Sequence, residues 1–205
     1  MSQINLLLVF SYLLGSIPFG FIISKALGID IRTKGSGNIG ATNVFRAVGK
    51  KWGLLCFLLD FLKGLGSAWM LPLFFLADGT VTQQLLAGAF AILGHNFPVW
   101  LKFKGGKGIA TSAGVIVAVA PLCMLAAAVT WGLCMVISRI VSLSSILAAI
   151  TVAVSAWVFY GENPILAGIL TALGVVAVLR HRSNIQRLLK GEEHGFARRS
   201  RTKGD

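Results

Sequence analysis

The chain has 205 residues, of which 56% are hydrophobic and 13% charged, with a formal net charge of +12; its mean hydropathy is +0.80. A soluble domain carries about 25% charged residues, so this composition excludes a soluble globular protein, a disordered chain and a disulfide scaffold. The apolar residues fall in long charge-free blocks, which marks a polytopic α-helical membrane protein. The positive excess therefore reads first as membrane topology and second as anion binding, and a nucleic-acid partner has no soluble basic face to meet.

In chain order, Ile4–Ser24 is free of charge and can span a bilayer. No basic residue precedes it, so it reads as a retained helix and not as a cleaved signal. Residues 25–51 are polar, glycine-rich and basic. Trp52–Ala77 is apolar except for Asp60 and Lys63, an i, i+3 pair expected to neutralise itself inside a bundle. A turn at Asp78–Gln84 leads to Leu85–Leu101, an apolar segment that carries His95, Asn96 and Pro98. A basic loop follows at Lys102–Lys107. Then Gly108–Ser138 runs 31 residues without a charge, with Pro121 near its middle. Arg139 and a serine cluster precede Ile146–Tyr160, and a turn at Gly161–Pro164 precedes Ile165–Leu179. From Arg180 the chain is polar and basic. Cys56, Cys123 and Cys134 all lie in apolar stretches as packing residues, with no metal-ligand spacing.

Six basic residues lie in 25–51, three in 102–107 and eight from Arg180 to the end, while the turns at 78–84 and 161–164 have none. The positive-inside rule places these clusters in the cytoplasm and the N-terminus in the periplasm, so the number of crossings is odd. As one helix the 31-residue block would be about 46 Å long, against a hydrocarbon core of about 30 Å. Two shorter helices meeting near Pro121 keep every cluster inside. The expected fold is therefore an all-α polytopic membrane helix bundle of seven transmembrane helices, with five as the alternative. Residues 1–193 form a single domain, and 194–205 a basic, disordered cytoplasmic tail drawn to lipid.

Four polar segments converge on the cytoplasmic face. The first, Lys34–Arg46, combines Gly35, Gly37 and Gly40 with Ser36, Asn38, Thr42 and Asn43 and ends on Arg46. Glycines allow close backbone approach and an amide nest for an anion, and Arg46 offers a planar fork for phosphate. The other reading is a flexible loop whose arginine meets lipid headgroups. The second, Lys102–Gly108, brings Lys104, Gly105, Gly106, Lys107 and Gly108 to a helix start, where free N–H groups favour anions. Topogenic lysines at a membrane boundary account for it equally well. His95 and Asn96 either line a site or bond a neighbouring helix. The third, Ser142, Ser144 and Ser145, reads by itself as a helix N-cap. In the fourth, His181–Glu193, His181 and Asn184 share a face of an interfacial helix, which could equally be a basic helix on anionic lipid. With three histidines in the chain, no close pair and no HExxH, there is no metal set, and no residue pattern points to a cofactor. No acid is placed to orient a Ser–His pair.

These segments, GSGNIGATNVFR at 35–46, KFKGGKGIAT at 102–111 and HRSNIQRLLKGEE at 181–193, resemble in order the motifs of the bacterial membrane glycerol-3-phosphate acyltransferases that use acyl phosphate, the PlsY family. The resemblance covers the chain to Glu193. It implies transfer of a fatty acyl group to the 1-hydroxyl of sn-glycerol 3-phosphate, giving lysophosphatidate for phospholipid synthesis. The enzyme would sit in the bacterial inner membrane with its site facing the cytoplasm. The resemblance places Ser36 and Arg46 in the active site and assigns Lys107 with its flanking glycines to glycerol 3-phosphate. It sets His181 and Asn184 beside the donor phosphate and makes Glu192 structural; Ser142–Ser145 resembles a further donor-contacting segment. The donor is acyl phosphate, with acyl carrier protein or coenzyme A thioesters as alternatives. A transporter of a phosphorylated solute is the competing class, though transport sites lie near the midplane and not at one face.

Overall fold

The computed structural model describes residues 2–76 and 79–195, and within these every regular element is helical. The first apolar block is two helices, α1 (Gln3–Ser16) and α2 (Phe19–Ala26), parted at Ile17–Pro18, where proline has no N–H to continue the ladder. After the loop that carries the first polar motif come α3 (Ala41–Ala47) and α4 (Lys50–Leu65). A π-turn at Gly66–Met70 continues α4 into α5 (Leu71–Phe75). Next is α6 (Val81–Asn96), which starts inside the expected turn because Thr80 and Gln83 form a capping box there. The long apolar block breaks at Ala120–Pro121 into α7 (Ile109–Val119) and α8 (Pro121–Ser138), as the proline and the length argument required. Finally come α9 (Val141–Tyr160), α10 (Pro164–Arg180) and α11 (Arg182–Leu189). The last two helices meet at His181 with a bend of 56°.

Among the described residues, the segments Gln3–Ala26, Lys50–Phe75, Pro121–Ser138 and Val141–Tyr160 are each long and apolar enough to cross a membrane. Large side chains such as Phe74 (81% exposed) and Ile137 (83% exposed) face outward, as they do where lipid is the solvent. With 11 residues, α7 spans only about 16 Å. It starts part-way along α4: a Cβ on Gly64 would fall 2.1 Å from the Thr111 carbonyl oxygen, and one on Gly114 2.0 Å from that of Phe61. Such backbone contact is how membrane helices pack when lipid supplies no hydrophobic drive between them. Residues 61–64 lie roughly 16–21 Å along α4 from Lys50. The loop before α7 is thus recessed into the bundle, and the helix covers only the remaining distance.

The same device joins α1 to α6, where Cβ atoms on Gly15 and Gly94 would strike the carbonyls of Ala91 and Tyr12. On the other side, α7, α8, α9 and α10 enclose an apolar core of Ile116, Val119, Cys123, Val152, Leu166 and Leu170. The polar segments meet between these two halves.

Candidate active site

The first motif is a loop tied by one side chain. Asn43, 4% exposed, donates from Nδ2 to the carbonyls of Asn38 (2.8 Å), Lys34 (3.0 Å) and Ile31 (3.3 Å) and accepts the Ser36 N–H at Oδ1 (3.0 Å). Gly35 (φ 56°) and Gly37 (φ 69°) take left-handed conformations beneath it, and a Cβ on Gly35 would fall 2.3 Å from Asn43 Oδ1. Asn38 caps the Gly40 N–H at 2.8 Å. This scaffold presents Ser36, Thr42 and Arg46 to a cavity of about 160 Å³. Arg46 also donates to the His194 carbonyl at 2.7 Å.

The second motif enters from the far end of α6. Gly105 and Gly106 donate their N–H groups to the carbonyls of Asn96 (3.2 Å) and His95 (3.1 Å). Arg180, at the end of α10, donates to Gly106 O at 2.6 Å, to Asn96 O at 3.3 Å and to Gly105 O at 3.4 Å. The turn ends on Gly108 in a left-handed conformation (φ 82°), from which α7 departs. Lys107 reaches into the cavity and donates to Asn184 Oδ1. Burial pushes its ammonium down to about 8, where Glu193 works against the shift and neighbouring arginines add to it.

From the C-terminal side, His181 is 3% exposed, and its Nδ1 lies 2.8 Å from the Ala177 carbonyl. A carbonyl only accepts, so Nδ1 carries the proton and Nε2 is left as an acceptor. Burial drives this imidazole down to about 4, which keeps it neutral at physiological pH. The carboxylate that knits the region is Glu193, and the expectation for Glu192 is corrected accordingly: Glu192 is exposed. Glu193 accepts from Ser142 Oγ (2.8 Å) and Asn184 Nδ2 (2.7 Å) at Oε1, and from Arg187 Nε (2.7 Å) at Oε2. Partial burial raises its pKa, but these three donors outweigh that and hold the carboxyl below its ordinary range. Because residues 193 and 194 both join the site, the expected boundary of the domain at 193 falls inside a structured segment. Of the expected tail, residues 196–205 lie outside the described residues.

The cavity thus gathers Ser36, Asn38, Gly40, Thr42, Asn43, Arg46, Lys107, Gly108, Ser142, Ser145, His181 and Asn184. Other expected residues lie elsewhere. Lys104 is exposed on the outer side of its turn, and Gly35, Gly37, Gly105 and Gly106 shape the loops without lining the cavity. Ser144 is turned away, donating back to the Ile140 carbonyl at 3.0 Å. The serines do not cap α9 either, since its first residue is Val141, before any of them; Ser145 instead accepts from Trp131 Nε1 at 3.3 Å. The wall also includes Asp60 and His95, which belong to a buried ion cluster with Lys63. A second cavity of about 280 Å³, walled by apolar side chains and two serines of α4 and α7–α10, shares Phe57, Ile109, Trp131 and Ser145 with the polar one. No group of three or more His, Cys, Asp or Glu residues that could hold a metal occurs among the described residues.

A family model for glycerol-3-phosphate acyltransferase matches residues 5–191. The chain belongs to that family. The glycerol-3-phosphate acyltransferase of Aquifex aeolicus is 46% identical over 195 residues, covering 93% of this chain and 97% of that one. That of Agrobacterium fabrum is 47% identical over 183 residues, covering 89% and 86%. Among solved structures, the glycerol 3-phosphate form of PlsY (YgiH), an integral membrane glycerol 3-phosphate acyltransferase, superposes with a TM-score of 0.87 at 42% identity over 96% of both chains. Its lysophosphatidic acid form gives 0.85. This member of the glycerol-3-phosphate acyltransferase family is therefore a multi-pass membrane enzyme of phospholipid synthesis, and its polar cavity is the place to look for acyl transfer.

Proposed function

We propose that the enzyme moves a fatty acyl group from acyl phosphate to the 1-hydroxyl of sn-glycerol 3-phosphate, giving lysophosphatidate and inorganic phosphate. One observation carries this reading: a cavity rich in cations and N–H donors shares a wall with an apolar groove. Two phosphorylated substrates, one with an alkyl tail, need that combination. Lys107 and Arg46 hold phosphate oxygens, while Ser36 and the neighbouring amides orient them. His181 and Asn184 sit on the donor side, where the neutral ring can only accept at Nε2. Holding the acceptor oxygen against the acyl carbonyl accounts for about 7–11 kcal/mol of barrier lowering in well-oriented systems. The acceptor oxygen attacks the carbonyl carbon, the bond to the donor phosphate breaks, and the departing phosphate takes the hydroxyl proton. No buried side-chain base is required.

The basic loops favour a cytoplasmic site in the bacterial inner membrane, with a periplasmic N-terminus. Seven helical rods cross or enter the bilayer, α7 being the short one. The single domain expected over residues 1–193 takes in His194 as well, whose carbonyl accepts from Arg46. Purified enzyme given labelled glycerol 3-phosphate with acyl phosphate, acyl carrier protein thioester or coenzyme A thioester in turn tests the assignment. A chloroform-soluble product with acyl phosphate is expected. Product from the thioesters alone would overturn the donor, and uptake into liposomes without product would favour a transporter.

A further inference from the structure

The turn that carries Lys107 is rich in glycine, and its backbone is held on one side by Arg180 and by the carbonyls at the end of α6. What lies beneath it is a buried ionic stack. Lys63 Nζ is 2.8 Å from Asp60 Oδ1 and donates to the Ile17 carbonyl at 2.8 Å, beside the proline break between α1 and α2. Both charged side chains are at most 3% exposed. His95 Nδ1 lies 3.5 Å from the same Asp60 oxygen. On the far edge of its ring sits Gly106, where a Cβ would fall 2.1 Å from Nε2 and 2.8 Å from Cε1. Only a glycine hydrogen fits between ring and turn. Ionised groups inside a membrane bundle are expensive and are retained where they serve a function, and an apolar side chain would fill the space under the turn at lower cost.

We propose that His95, held by the Asp60–Lys63 pair, is a positioning residue for the Gly105–Lys107 turn, and that it sets the affinity for the phosphorylated acceptor without taking part in transfer. The ring acts as a spacer of fixed thickness between a charged anchor on α4 and the backbone one residue before Lys107. This inference rests on the reading of Lys107 as a phosphate ligand. A displacement of about 1 Å in a positioned group costs up to about 100-fold, so the expected effect is large and confined to one substrate.

The test is steady-state kinetics of the full-length enzyme with both substrates varied. His95→Ala is expected to raise the KM for glycerol 3-phosphate by roughly tenfold or more, with kcat and the KM for acyl phosphate nearly unchanged. His95→Gln, which restores a polar side chain of similar reach, is expected to recover part of the loss and serves if the alanine variant does not fold. Gly106→Ala is expected to raise the same KM, because its methyl meets the ring. In the His95→Ala background it should add little, since the ring is gone. Additive losses, or an equal fall in kcat and in both affinities, would overturn the proposal. Lys107→Ala keeps the two readings apart. A normal acceptor KM in Lys107→Ala removes the phosphate-ligand reading and this inference with it. A raised KM there with a normal one in both His95 variants removes the inference alone.

Discussion

Glu193→Ala is the sharpest perturbation of the site's framework. The carboxylate accepts from Ser142, Asn184 and Arg187 at 2.7–2.8 Å, and its side chain is 4% exposed. Buried hydrogen bonds to a charged group contribute roughly 1.5–3 kcal/mol each. Three bonds to one carboxylate do not add, and Arg187 is 31% exposed, so solvent screens that contact. About 2–4 kcal/mol is left, which corresponds to roughly 30- to 1,000-fold if the whole loss reaches the transition state. Asn184, which also accepts from Lys107, would lose its orientation, and the segment whose His194 carbonyl meets Arg46 would lose its anchor. The assay is kcat/KM of purified enzyme with thermal unfolding measured in the same detergent. Glu193→Ala should cost at least about 30-fold, whereas the exposed Glu192→Ala should stay within about 0.5 kcal/mol. A damaging Glu192→Ala beside a harmless Glu193→Ala would refute the reasoning.

Three further outcomes are expected. With the Lys107 ammonium pushed down to about 8, kcat/KM for glycerol 3-phosphate should fall as pH rises through that value, and Lys107→Arg should move this limb out of range. Because the unfolded lysine titrates near about 10.4, folding stability should rise between these two values while activity falls, the unfolded chain binding the extra proton; parallel changes would contradict the assignment. Ala148→Phe, in the wall of the apolar groove, should lower kcat/KM for a palmitoyl donor by about tenfold while sparing a short-chain donor; equal losses would detach the groove from the acyl chain. A single cysteine at the exposed Lys34, in a background without other cysteines, should react with an impermeant maleimide only after the cells are opened. Labelling of intact cells would reverse the topology.

Much of the fold could be read from charge-free block lengths, because a helix that crosses must match the bilayer. Pro121 together with the excess length of its block located the break between α7 and α8. The i, i+3 spacing of His181 and Asn184 placed both at one site, since helical geometry holds through α11. Beyond Leu189 that periodicity ends, so nothing in the sequence could say whether Glu192 or Glu193 turns inward. Lys104 and Ser144 fail for a related reason: a lysine in a turn or a serine in a helix takes its direction from tertiary packing. Ser144 satisfies its hydroxyl on its own helix, and Lys104 points outward. Arg180 was read as one more topogenic charge, whereas it holds two carbonyls of the glycine turn and that of Asn96 at the end of α6. The Asp60–Lys63 pairing followed from spacing alone; His95 stood out as a polar residue in an apolar helix, but its partner lies on another helix, which spacing could not name.

The reading as a whole rests on one cationic cavity serving both phosphates. Acyl transfer from acyl phosphate to glycerol 3-phosphate by purified Arg46→Ala and His181→Ala enzymes, each checked for folding, tests it most directly. Each variant is expected to lose at least about 100-fold in kcat/KM. Wild-type turnover in both would place the chemistry elsewhere.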